Sequence, residues 1–293
     1  MPKNHEVLVV AGAAGSKSTF IGGLYQHVHR DNDLGIHFTP VEGNYREDFR
    51  EGLLNRMLTQ NKYPAMTEDG YIVELTIDGG GTAIPETNFK FIDIPGEQIN
   101  VVLPKMQDDI EDGGIDEEQI SNDYDDIKSD IGGDQQLTID DYVTIFENFY
   151  TNATMVLFLL NIHKLIVRDE MLSIPADLVE TTAERKTKTA VVPTAVDLIG
   201  YDADDPDFDS AMFFDARKFD EGLRRQIDDR IDLSTSPTLV SMVEQVKSDE
   251  SISMFSVSVP PLEPGETDNE ELKPDGDYFE TSGFDQVISW LKD

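Results

Sequence analysis

The stretch Ala11-Gly12-Ala13-Ala14-Gly15-Ser16-Lys17-Ser18-Thr19 joins small residues, one lysine and three hydroxyls. It stands between an apolar run, Val7 to Val10, and a segment that reads as a helix. That context suits phosphate binding: successive backbone N–H groups and a helix N-terminus cradle phosphate oxygens. Lys17 would neutralise the outer phosphates, and Ser18 would ligate Mg2+. The pattern departs from GxxxxGK[ST], because the two glycine positions hold Ala11 and Ser16 while Gly12 and Gly15 are each displaced by one. A side chain at Ser16 restricts backbone angles that glycine leaves open. The same residues also fit a small-residue turn that only lets strand and helix pack closely.

Two further segments end apolar runs with polar residues. Phe91-Ile92-Asp93-Ile94-Pro95-Gly96-Glu97 closes a strand with Asp-x-x-Gly, where Asp93 would hold the magnesium shell and the Gly96 N–H would meet a terminal phosphate. Its plain alternative is a strand end with a Pro-Gly turn. Val191-Val192-Pro193-Thr194-Ala195-Val196-Asp197 closes another strand. Here the chain resembles the P-loop GTPases of the TRAFAC class, whose base-recognition motif [NT]KxD matches at Thr194 and Asp197 but has Ala195 in place of its lysine.

The resemblance runs along almost the whole chain in the family's order. It implies a P-loop NTPase three-layer α/β sandwich with a mainly parallel sheet, and GTP and GDP as ligands. Gly12, Ala13, Ala14, Gly15, Ser16, Lys17, Ser18 and Thr19 fall in the phosphate loop, and Asp197 would accept from guanine N1–H and the exocyclic amine. Thr67, just before a strand, matches the threonine that closes on magnesium, with Thr39 as the weaker contender. Ser258 in Met254-Phe255-Ser256-Val257-Ser258 matches the serine of a late guanine-contacting motif. Where many GTPases have a water-positioning glutamine, this chain has Glu97, which implies slow or partner-dependent turnover. Within the class, the Asp-x-Pro-Gly-Glu form and a helical segment before Thr67 look similar to the double-GTPase type 2 group. The four departures, Ala11, Ser16, Ala195 and Glu97, leave two alternatives: a nucleotide-independent scaffold on the same fold, and an ATP-dependent P-loop protein.

These residues need elements to hold them. Glu6 to Ala11 reads as a buried strand and Lys17 to about Arg30 as the helix after it. Tyr45, Phe49, Leu53 and Met57 repeat every four residues and predict a helix over 44–60. Tyr71 to Ile77 and Asn88 to Ile94 read as an antiparallel ribbon. The second half predicts helices near 138–150, 176–186, 216–231 and 238–246, strands at 155–160, 189–193 and 251–257, and a closing helix with Phe284, Val287, Ile288 and Leu291. Strands alternating with helices imply a mainly parallel sheet covered on both faces. One domain over 1–293 is expected, with an acidic Pro-rich loop at 260–277.

From Asp108 to Asp141 there are fourteen acidic residues and one lysine, which predicts a solvated acidic insertion over about 98–141. It lacks the ligand spacing of a calcium loop. Because it follows Glu97 directly, it is the expected docking surface for a protein partner or effector.

With 59 acidic and 23 basic residues, the formal charge is −36. Such self-repulsion is relieved when salt shortens the Debye length to about 3 Å at 1 M, the pattern of halophilic archaea and their viruses. The charge argues against nucleic acid as a partner. Zero cysteines exclude disulfides and thiolate chemistry. His27 and His29 lie two apart on one helix and face apart, so neither is expected to bind metal. No apolar run approaches the ~20 residues of a membrane span, and a cytoplasmic location is expected.

Overall fold

The structure, a computed structural model, describes residues 4–12, 17–31, 35–39, 71–78, 85–94, 96–113, 115–130, 137–161, 174, 176–185, 187–194, 204, 252–259 and 281–292. The helices expected over 44–60, 216–231 and 238–246 and the loop at 260–277 lie outside them.

Strand β1 (His5–Ala11) is apolar on both sides, as a strand covered by helices twice over must be. Helix α1 (Lys17–Asp31) follows it, then β2 (Gly35–Thr39), β3 (Tyr71–Asp78) and β4 (Thr87–Asp93). Helices α2 (Gly96–Glu111), α3 (Glu117–Asp130) and α4 (Ile139–Asn152) come next, then β5 (Met155–Asn161). Helix α5 (Ala176–Glu184), β6 (Lys188–Thr194), the short β7 (Ile252–Met254) and α6 (Phe284–Lys292) complete the described elements.

The seven strands form one sheet in the order β2-β3-β4-β1-β5-β6-β7. β4, β1, β5, β6 and β7 are mutually parallel, while β3 lies antiparallel to β4 and β2 antiparallel to β3. The ribbon expected from Tyr71 to Ile94 is therefore present, and β2 extends it by a strand, Gly35–Thr39, that is not among the expected elements although Ile36 and Phe38 alternate with His37 and Thr39.

Alternation along the strands splits the core in two. Val7, Val9 and Ala11 of β1 pack with Phe20, Ile21, Leu24 and Val28 of α1 and with Phe284, Val287 and Leu291 of α6. Leu8 and Val10 face the other way, toward Ile99, Val102, Leu103 and Met106 of α2, Phe146 and Phe149 of α4, and Leu178 and Val179 of α5. The result is an α/β sandwich of three layers, helix, sheet and helix.

The acidic loop expected over 98–141 is replaced by helices. In α2 the buried residues Ile99, Val102, Leu103 and Met106 recur at helical spacing, and in α3 so do Ile120 and Tyr124 with Ile127 partly buried. Asp116 caps α3, its Oδ1 accepting from the Glu118 and Gln119 N–H groups at 3.1 and 3.2 Å. Thr138 caps α4 in a reciprocal box with Asp141. One apolar stripe suffices to bury a helix whose remaining faces are acidic, so charge density alone misreads this region as loop.

Candidate functional site

Register places the motif segments at one edge of the sheet. β1 and β4 run side by side with an offset of 82 residues, from His5↔Thr87 to Leu8↔Lys90. Continued to the strand ends, that offset sets Ala11 beside Asp93. On the other side Ala11 pairs with Leu159 of β5, and Leu159 with Val192 of β6. β5 and β6 go on two residues further, to the pair Asn161↔Thr194, and Thr194 bridges in parallel to Val257. All of these are carboxyl ends of parallel strands.

The chain leaves β1 into α1 on one face and leaves β4 into α2 on the opposite face. Neighbouring parallel strands whose following helices depart to opposite faces open a crevice at their carboxyl ends, where ligands bind in open α/β sheets. By that rule a crevice would fall between Gly12 and Lys17 after β1 and Asp93 and Gly96 after β4.

Gly12 is buried at the end of β1, and Lys17 is the first residue of α1, only 7% exposed. The positive end of the helix dipole disfavours an ammonium there, and an anion at the same N-terminus compensates both charges. Ser18 and Thr19 in the same turn are partly exposed. β4 ends at Asp93, and α2 begins with Gly96 and Glu97. Thr194 is buried, and its hydroxyl donates to the Leu160 carbonyl at 3.2 Å. Ser258 is buried too, its backbone exchanging two hydrogen bonds of 3.0 Å with Ser282.

The register thus brings together the segments of Gly12, Lys17, Ser18, Thr19, Asp93, Gly96, Glu97, Thr194 and Ser258. Ala13, Ala14, Gly15, Ser16, Thr67 and Asp197 lie outside the described residues. Thr39 pairs with Glu74, and through it and Lys90 stands level with Leu8, in the middle of β1. Three strand spacings put it about 14 Å from β1, away from the carboxyl edge.

Asn161 was not singled out by any motif. Its signal is modest but legible: it is the first polar residue after the buried run Met155 to Leu160.

Away from this edge, polar groups hold elements together. His27 is buried on α1, its Nε2 3.1 Å from Asp285 Oδ1, which makes it a core histidine tied to α6. At the amino end of the sheet, burial and then Lys188 lower the pKa of His5. Glu6 accepts from Asn88 at 2.8 Å and pairs with Lys90 at 2.9 Å across β1 and β4. Among the described residues no three acids or histidines are grouped as a metal-binding cluster, and no helix is long and apolar enough to cross a membrane.

Fold and edge together define an α/β protein in which the carboxyl ends of β1 and β4 lie side by side. No protein-family model matches the chain, and no curated protein matches it.

Proposed function

We propose that this protein is a GTP-binding switch with slow hydrolysis, built on a P-loop fold. One observation carries the reading. The segments that begin or end at Gly12, Lys17, Asp93, Thr194 and Ser258, far apart in the chain, all lie at the carboxyl edge of the parallel strands β4, β1, β6 and β7, which supports a shared ligand there.

In this reading Lys17 and the N-terminus of α1 take the phosphates, and Thr194, Asp197 and Ser258 take the base. Magnesium needs few protein ligands, since it keeps waters and phosphate oxygens in its shell. One carboxylate, Asp93, and one hydroxyl, Ser18, would meet that demand, with Thr67 as a third contributor. Held by these residues, the ion would supply charge neutralisation to the phosphates. Glu97, second in α2, places a carboxylate where a neutral amide is usual, which disfavours negative charge development and slows turnover. Helix α2 follows directly, so a partner that reads the bound nucleotide has α2 and the acidic α3 as its nearest surface.

The test is calorimetric titration with GTP and, separately, ATP, in molar KCl with magnesium. Saturable GTP binding that Lys17→Ala abolishes supports the switch. Equal affinity for ATP, unchanged in Asp197→Ala, would move the reading to an ATP-dependent protein. Folded protein that binds neither nucleotide would leave the scaffold.

A further inference from the structure

The carboxyl edge of the sheet is stepped. β1 stops at Ala11, level with Leu159, whereas β5 and β6 continue to Asn161 and Thr194, about 6.6 Å further at ordinary strand rise. The low part of the step holds Gly12, Lys17 and the end of β4; the high part holds Asn161, Thr194 and the bridge to Val257.

Alternation decides which way Asn161 faces. Met155, Leu157 and Leu159 of β5 belong to the core cluster under α1, as do Ala190 and Val192 of β6. Asn161 and Thr194, two residues beyond, therefore lie on the α1 side of the sheet, directly paired. Asn161 is partly exposed at the end of six buried residues. Its backbone is well held: the Thr194 hydroxyl donates to the preceding carbonyl at 3.2 Å, and the Val257 N–H donates to the Pro193 carbonyl at 3.0 Å.

A strand-ending asparagine is often no more than a turn signal. Asn161 is instead still paired within the ladder, on the face where α1 begins, and stands between the phosphate end at Lys17 and the base end at Thr194. A carboxamide offers both donors and an acceptor.

We propose that Asn161 is a nucleoside-contacting residue: its carboxamide hydrogen-bonds the sugar-and-base half of a bound purine nucleotide from the α1 side of the step. The inference rests on the nucleotide reading of the same edge and adds to it a residue that no motif supplies. The contact lies away from the terminal phosphate, so it is common to di- and triphosphate.

The experiment compares wild type, Asn161→Ala and Asn161→Asp by titration with GTP and with GDP in 2 M KCl and magnesium. It adds the nucleotide-free unfolding midpoint and the single-turnover hydrolysis rate at saturating GTP. Asn161→Ala is expected to weaken GTP and GDP alike by about tenfold, with the midpoint and the saturated rate unchanged. Asn161→Asp, similar in size, is expected to lose more because its charge opposes the phosphates. Unchanged affinity with a lowered midpoint would reduce Asn161 to a strand cap and overturn the inference. Loss of GTP affinity alone would also overturn it, by moving the contact to the terminal phosphate. Wild type that binds neither nucleotide would end the nucleotide reading, and the inference with it; wild type that binds while both variants bind equally well would end only the inference.

Discussion

Glu147 is a residue whose protonation the fold alters. It is buried on α4, and burial, followed by the neighbouring Asp109 of α2, pushes its pKa up to about 7. Between its ordinary value and 7 the native state binds the extra proton and the unfolded chain does not, so this group makes stability fall as pH rises through that window. Glu147→Gln is expected to flatten the slope between pH 5 and 7 and to raise stability at pH 8 by about 1 kcal/mol, kept small by solvent around the helix pair. Denaturant melts at both pH values check this, and an unchanged slope would assign the pH dependence elsewhere. Tyr124 makes a related case. Its hydroxyl is buried with no hydrogen-bond partner among the described residues, and burial, then Glu74 and Asp125, raise its pKa. An unsatisfied buried hydroxyl costs about 1–3 kcal/mol, whereas the ring's edge contact with Phe149, 5.5 Å between centroids, survives its removal. Tyr124→Phe is therefore expected to leave stability equal or higher in thermal melts; a loss above about 1 kcal/mol would reveal a partner for the hydroxyl.

At the scale of elements, α1 and α6 approach each other closely at Gly23. A Cβ at Gly23 would lie 2.7 Å from Phe284 Cζ and 2.8 Å from Val259 Cγ2, so only glycine admits this approach. Gly23→Ala improves helix propensity by about 1 kcal/mol, but forcing Phe284 and Val259 aside costs typically 1–3 kcal/mol. The clash wins, and a net loss of about 1 kcal/mol with loosening of α6 is expected. Hydrogen exchange at the amides of 284–292 would show it, and unchanged protection would mean that Phe284 has room to turn. This closure was half legible. Phe284, Val287, Ile288 and Leu291 announce an amphipathic helix, but nothing in them says that it packs on Gly23 or that Asp285 meets His27. The acidic region shows the reverse: Ile120, Tyr124 and Ile127 carry a helical period, too sparse among charges to outweigh composition.

For the whole molecule, the charge of −36 sets the conditions under which the fold persists. Among the described residues, acids crowd the outer faces of α2 and α3 with few cations to pair them. The unfolding midpoint is expected to climb steeply between 0.1 and 2 M KCl as screening length falls from about 10 to below 3 Å. A midpoint indifferent to salt would show that the charge is spread widely enough to do without screening.

Sequence by itself determined what local chemistry dictates. Short apolar runs bounded by turn residues fit strands covered on both faces, and the stripe at 284–291 fits a helix on a core. Tertiary structure alone decided which of these stand together. Strand order and register follow from which faces bury each other across the sheet, a long-range competition that no local pattern encodes. That competition placed β4 beside β1, sent α1 and α2 to opposite faces, kept Thr39 away from the edge, and set Asn161 level with Thr194.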